Sequence, residues 1–200
     1  MLLSCSISIS ASGRDSLLIM FWNVENFFDY VDGGMSESDK EFSSSGSRRW
    51  TKKKFYTKCD AVAKSLFWTA EKYGRMPDVV GLAEVENRGV LTRLLNNTLL
   101  RKQGYRVVHY DSPDRRGIDV ALLYRKSVLE PQSVTRRVPL YANGDTVITR
   151  DILHVEMNIT GTARKVHFIV NHHPSKYGGA KESHPKRIAA MTTLKALSDS

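Results

Sequence analysis

The sequence predicts an α/β fold, and three observations carry that prediction. Residues 17–22 (LLIMFW) and 79–83 (VVGLA) are continuous apolar runs, the pattern of strands buried on both faces. Segments with apolar residues at helical spacing follow each run. From Tyr105 onward the period becomes that of successive strands separated by turn residues. Two βα units and then a strand meander describe a sheet layered with helices.

Taken in order, the first apolar run ends in Asn23-Val24-Glu25-Asn26, and a loop rich in Gly, Ser and acidic residues spans 29–47. Such a composition packs no core and is expected to be mobile. A helix is expected over 51–73, where Phe55, Cys59, Val62, Ala63, Leu66 and Phe67 make one apolar face. Lys52, Lys53 and Lys54 crowd its first turn, the wrong end for positive charge with respect to the helix dipole. The second strand ends in Glu84, and another amphipathic helix is expected over 90–101 through Val90, Leu91, Leu94, Leu95 and Leu99. Strands are expected at 105–110, 118–124, 128–138, 149–159 and 165–171, with Asn143-Gly144 and Gly161 as turn chemistry. A polar loop over 173–183 leads into a last helix from about Pro185, a residue suited to the first helical position.

The 200 residues are enough for one domain with a hydrophobic core, which residues 14–200 supply. Residues 1–13 are uncharged from Met1 to Ala11 and resemble the tail of a signal peptide, or equally a disordered leader. The sequence 2–5 (LLSC) also resembles a lipoprotein cleavage site, but too little precedes it to work. Export to the periplasm or outside the cell is the expectation, with the cytoplasm as the other reading. No stretch is apolar and long enough to span a bilayer, and nothing points to a stable protein partner. Two cysteines exclude a disulfide framework, and no Cys/His pattern suggests zinc. Thirty Lys+Arg against 21 Asp+Glu give a formal charge of +9. That balance favours an anionic partner, although solubility alone accounts for it equally well.

Two strands end in a polar residue where the apolar run stops, at Asn23 and Glu84. In α/β sheets functional groups gather at the carboxyl ends of strands. A hard cation such as Mg²⁺ needs carboxylate oxygen and keeps several waters, so one or two protein carboxylates suffice. Glu84 could provide that oxygen, and Asn23 could orient the carboxylate or a phosphate. Spacing alone favours two polar residues that merely open loops. Asn171-His172-His173-Pro174-Ser175-Lys176 follows another apolar strand, and only one of its adjacent histidines can face a given site. Asp119 lies in a buried run and needs a partner, for which Arg116 and Arg150 are candidates. Arg150 could instead grip phosphate.

Together the segments N-V-E-N, E-V-E-N, R-R-G-I-D-V-A-L-L-Y, T-R-D and N-H-H-P-S-K, in this order over residues 17–191, resemble the endonuclease/exonuclease/phosphatase superfamily. The likeness is closest to its bacterial nuclease-like branch. The resemblance implies a four-layer α/β/β/α sandwich and metal-dependent hydrolysis of phosphate esters with Mg²⁺, or Mn²⁺ in its place. The substrate it implies is nucleic acid or another phosphate ester, lipid and sugar-phosphate head groups included. By the same resemblance Glu84 is the metal ligand, and His172, Asn23 and Asp119 are catalytic. Arg150, Asn171, Arg116 and Lys176 meet the substrate. The family's G-D-x-N and S-D-H segments do not occur here. The chain therefore reads as the N-terminal part of such a domain. An incomplete sandwich with an open apolar sheet face is expected, as is an incomplete metal site. Such a chain could be inactive alone and only bind polyanions, through Arg115, Arg116, Arg150 and Lys176.

Overall fold

The computed structural model describes residues 2–8, 16–33, 36–175 and 179–199. Among the described residues, eight strands and four α-helices follow one another as β1 (Leu2–Ser8), β2 (Ser16–Phe27), α1 (Glu37–Glu41), α2 (Lys52–Tyr73), β3 (Val79–Val85), α3 (Arg88–Asn97), β4 (Tyr105–His109), β5 (Asp119–Arg125), β6 (Leu129–Arg137), β7 (Ile152–Ile159), β8 (Lys165–Val170) and α4 (Ala180–Ser198), with a 3-10 turn at Leu99–Lys102 after α3. One sheet has the order β1-β2-β3-β5-β4 and the other β6-β7-β8. β2 and β3 are parallel, as a strand–helix–strand crossover requires, and the other pairings are antiparallel. β1 lies within the segment read as a leader, and its backbone pairs with β2 from Leu2↔Trp22 to Ser8↔Ser16.

The layers follow from the two-sided apolar strands. Met20, Val80, Leu82, Ala121 and Leu123 face one way and meet Phe55, Cys59, Val62 and Leu66 of α2 and Val90, Leu91 and Leu94 of α3. Leu17, Val79, Ala83, Val120 and Leu122 face the other way and meet Leu153, Val155, Met157 and Val170 of the second sheet. Among the described residues, both faces of β2, β3 and β5 are therefore covered. Where the sequence leads one to expect an open apolar face, the described residues show partial exposure at Ile19, Phe21, Tyr124, Val134, Val166 and Phe168. The three strands β6–β8 suffice to bury the rest. α4 lies beside residues 137–143, with a groove of about 1000 Å³ between them.

Local chemistry sets the element ends. Thr51 caps α2 by accepting from the Lys54 amide, and Gly74 at φ 71° ends it in the left-handed conformation that glycine tolerates. Pro131 sits on the outer strand β6 at an irregularity in its pairing, where a missing N–H costs no ladder bond. Two expectations change. The last helix begins at Ala180, and Pro185 lies inside it. Gly179 at φ 107° turns the chain in, and the Ser183 hydroxyl donates to the Gly179 carbonyl at 3.0 Å, so the helix forms before the proline. Over its described residues the 29–47 segment is packed, against the coreless loop its composition suggests. Asp29, Asp39 and Ser43 are buried, and Phe42 stacks on Phe28 with centroids 5.0 Å apart. Its acidic and serine side chains satisfy backbone amides inside the segment itself.

Candidate active site

The site is built where β2 and β3 both break register. β2 is irregular between Asn23 and Phe27, and β3 between Ala83 and Val85. At these two levels Glu25, Asn26 and Glu84 have φ of 55°, 54° and 63°, in the left-handed region that non-glycine residues seldom occupy. A bulge re-aims a side chain that a regular strand would send into a packed face. Here it turns Glu84 out of a strand whose other residues are all buried. Backbone strain of this kind gathers at functional positions.

Donors surround the Glu84 carboxylate. Nδ2 of Asn23 donates to Oε1 at 3.2 Å, and the Asn26 amide donates to Oε2 at 3.0 Å. Nε2 of His172 lies 3.3 Å from Oε1, and a guanidinium nitrogen of Arg116 lies 3.6 Å from Oε2. The His172 contact, more than the Asn23, Arg116 and Asn26 contacts, pulls the carboxyl down to about 2, against the upward push of burial. Glu84 is therefore an anion at any physiological pH. Arg116 also donates to Oδ1 of Asn26 at 2.6 Å, which ties the third segment to the first.

Arg150 holds the fourth segment. Its guanidinium is buried, donating from Nε to the His172 carbonyl at 3.1 Å and from Nη2 to the His173 carbonyl at 2.6 Å. From Nη1 it pairs with Asp114 at 2.9 Å, side-chain exposures being 5% and 7%. Asp114 in turn accepts from the Arg116 amide at 2.9 Å. Arg150 thus fixes the backbone that presents His172 to Glu84. The His173 ring is shifted toward its neutral form by burial and by the charges of Arg187, His172 and Arg150.

Asp119 is not paired with Arg116 or Arg150. Its Oδ1 accepts from the amide of Ser112 at 2.9 Å and from the Ser112 hydroxyl, and Oδ2 lies 3.2 Å from Nε2 of His109. Both arginines are held elsewhere, and Ser112 supplies the hydrogen bonding this buried carboxylate needs, with His109 in close contact beside it. The His109–Asp119 contact is close but out of line for a hydrogen bond, which leaves Nε2 without a hydrogen-bond partner. Asp111 completes a group of three possible metal-ligating side chains, His109, Asp111 and Asp119. Asp119 also lines a cleft of about 690 Å³ with Asp39, Glu86, Asp111, Asp114 and Arg115. Asn171 is half-buried and makes no side-chain hydrogen bond among the described residues. Lys176 lies outside the described residues.

Three contributors have no clear mark in the sequence. Asn26 stands inside the N-V-E-N segment, where nothing local sets it apart from Asn23. Asp114 is near the R-R-G-I-D segment, where its role depends on a partner far along the chain. Lys58 carried no signal, being one of many lysines on a helix. Its ammonium donates to the carbonyls of Glu25 and of Asn26, the latter at 3.3 Å, and holds the strained turn from behind. Burial lowers its pKa, and the charges of Glu25 and Glu84 oppose that.

At the Glu84 centre the donor set contains one ionised carboxylate and amide or cationic donors. That fits a water-rich hard cation held by a single protein oxygen and does not fit a fully protein-ligated ion. No helix among the described residues is long and apolar enough to cross a membrane.

A family model described as the Endonuclease/Exonuclease/phosphatase family matches residues 18–200. Solved structures of similar fold include an endonuclease/exonuclease/phosphatase family protein from Bacteroides thetaiotaomicron, at TM-score 0.53 and 15% identity over 98% of this chain and 59% of that one. The human Nocturnin catalytic domain with bound sulfate gives 0.51 and 14% over 90% and 58%. A protein of unknown function from Enterococcus faecalis V583 gives 0.51 and 15% over 88% and 58%. The chain thus spans somewhat more than half the length of these structures, and at such identities the likeness concerns the fold. No curated protein sequence matches. With the family model covering nearly the whole chain and the two-sheet fold agreeing with it, the chain belongs to the endonuclease/exonuclease/phosphatase family.

Proposed function

We propose that this protein hydrolyses phosphate esters with a divalent cation at Glu84, and that its substrate is nucleic acid. The convergence of Asn23, Asn26, Arg116 and His172 on one carboxylate held ionised at a strand end carries the reading. Glu84 would hold Mg²⁺, with Mn²⁺ as a substitute. Such an ion neutralises phosphoryl charge and assists the leaving oxygen. Asn23 fixes the rotamer of Glu84 and adds no charge. His172 is placed to donate a hydrogen bond to negative charge developing on phosphate, and Arg116 to bind a phosphate oxygen. Arg150 acts on the reaction through the position of His172. Asp119 borders the adjoining cleft, where Asn171 and Lys176 remain candidates for substrate contact. The sulfate bound by the human Nocturnin domain supports an anion-binding fold of this kind.

The chemistry extends to phospholipid or sugar-phosphate esters, which the same fold accommodates. The deciding experiment is a panel of DNA, RNA, a glycerophosphodiester and bis(p-nitrophenyl) phosphate, each with Mg²⁺, Mn²⁺ or EDTA. Cation-dependent cleavage of nucleic acid by this chain supports the reading. No hydrolysis of any substrate under any condition sinks it. The further proposal of a periplasmic or secreted protein with a leader at 1–13 is tested by mass spectrometry of protein from its native host. An intact Met1 in the cytoplasm overturns it.

A further inference from the structure

Of the cations expected to contact substrate, Arg150 is engaged inside the fold, while the Arg116 side chain keeps 41% exposure. Arg150 faces Asp114 and two carbonyls, and Arg116 faces Asn26 and Glu84. Further exposed positive charge lies at the start of α2. Between Glu41 and Asp60 the sequence has no acidic residue, and it carries Arg48, Arg49, Lys52, Lys53, Lys54 and Lys58. Lys58 joins this stretch to the site through the Glu25 and Asn26 carbonyls. Its ammonium also lies 5.6 Å from the centroid of Trp50, which precedes the helix. Lys54 stands one helical turn before Lys58, on the same side of α2, and donates to the Arg48 carbonyl at 3.1 Å. Arg49, Lys52 and Lys53 are exposed, and among the described residues none is within ion-pair distance of a carboxylate.

Folding gives no reason for this arrangement. Three lysines stand in a first turn that has no acidic residue, where the helix dipole favours the opposite charge. Thr51 already caps the helix. The ridge is free of exposed apolar side chains, Phe55 being buried and Tyr56 half-buried, so it lacks what a membrane-inserting surface needs. Its charge complements a partner with repeated negative charges that reaches the Glu84 turn at one end.

We infer that Arg49, Lys52, Lys53 and Lys54 form a ridge that binds the phosphate backbone of a nucleic-acid strand running out from the Glu84 site. The inference rests on the phosphate-ester reading of that site. The ridge sets where the strand lies and contributes affinity without base preference.

The test is fluorescence anisotropy with a labelled single-stranded DNA oligonucleotide in EDTA, so that no turnover intervenes. The parent chain and the Lys52→Glu/Lys53→Glu/Lys54→Glu variant are compared across a salt series. Acidic residues suit a first turn, so the triple variant keeps its helix, which circular dichroism checks. It should bind at least about tenfold more weakly. Its plot of log K against log salt should be shallower by about 2, three contacts at roughly 0.7 each. Equal affinity and slope in parent and triple variant overturn the ridge, as does a parent that binds no DNA. Tighter binding to phosphatidylserine vesicles than to DNA, lost in the same variant, overturns the nucleic-acid assignment in favour of a membrane. Absence of hydrolysis in the substrate panel would sink the catalytic reading alone, since the ridge is read by binding.

Discussion

Nε2 of His172 lies 3.3 Å from Oε1 of Glu84, although one residue ends a strand of the larger sheet and the other follows a strand of the smaller. The contact bridges the two sheets at their rim. It is possible because Glu84 leaves its strand at a bulge and because Arg150 holds the His172 carbonyl at 3.1 Å. Each half of the site is therefore supported by a feature that adds nothing to the hydrophobic core.

Glu84→Gln is nearly isosteric and removes the charge. Hydrolysis of bis(p-nitrophenyl) phosphate with Mg²⁺ should fall to background while near-ultraviolet circular dichroism stays that of the parent. Retention of a tenth of the activity or more would be incompatible with a metal role. The same variant has a pH signature. The carboxyl is held down at about 2 in the fold, below its unfolded value of about 4.3. Its contribution to stability is present above the unfolded value and is lost as pH falls through the folded one. Acid titration of the parent should show this loss between about pH 4 and 2, and Glu84→Gln should lack that component.

Arg150→Met separates a structural arginine from a phosphate ligand. It leaves the Asp114 carboxylate buried without its cation and frees the His172 and His173 carbonyls. Breaking a buried pair by removing one partner costs about 3–5 kcal/mol. A large drop in urea midpoint, together with loss of hydrolysis, is expected. Arg150→Lys should restore little, because an ammonium cannot reach three acceptors in one plane. Unchanged stability in Arg150→Met would mean the guanidinium is not doing what its contacts show.

Most strands and helices are legible because their signals are local; β1, within the segment read as a leader, and α1, within the segment read as a loop, are not. LLIMFW and VVGLA read as two-sided strands, and Phe55, Cys59, Val62 and Leu66 recur on one face of α2. The polar residues at the two strand ends were legible as positions, and the order of five segments gave the family. Their geometry was not legible. Nothing local distinguishes Arg150 as a ligand of two carbonyls from Arg150 as a ligand of phosphate, since the outcome depends on Asp114 in another segment. The packing of residues 29–47 was hidden for a related reason. Its composition is that of a loop, and its order comes from Phe28, Phe42 and Trp50 gathering across that loop, with Trp50 donating to the Phe28 carbonyl at 2.8 Å.

Glu86 gives that segment a pH dependence. Burial is the main cause that pushes its carboxyl up to about 8. A hydrogen bond from the Asp29 amide opposes the shift, and Asp39 and the Asp29 charge add to it. The folded value lies above the unfolded one of about 4.3, so the native state binds the extra proton between them and stability falls as pH rises through that window. Parent protein should lose stability steadily from about pH 5 to 8. Glu86→Gln, neutral throughout, should flatten the curve. Measured urea midpoints at pH 5, 6.5 and 8 decide it, and parallel curves for the two proteins would refute the assignment.

Gly117→Ala tests the turn that delivers Arg116. The Gly117 amide donates to the Asp114 carbonyl at 2.9 Å, and its φ is 65°. A Cβ there would stand 2.7 Å from Oγ and 3.0 Å from Cβ of Ser36. Two costs are combined: left-handed backbone for a residue with a Cβ, about 1–2 kcal/mol, and a clash with a side chain that caps α1 by accepting from the Asp39 amide at 3.0 Å. A loss of about 2–3 kcal/mol in total follows, or roughly 4–12 °C in Tm for a chain of this size. The two costs separate in a double variant. Ser36→Gly/Gly117→Ala removes the clash and leaves the backbone penalty, so the double variant should recover only the part of the loss due to Ser36, after allowance for Ser36→Gly alone. If Gly117→Ala melts with the parent, the turn does not hold Arg116 in the conformation described. The placement of that guanidinium beside Glu84 would then have to be drawn differently.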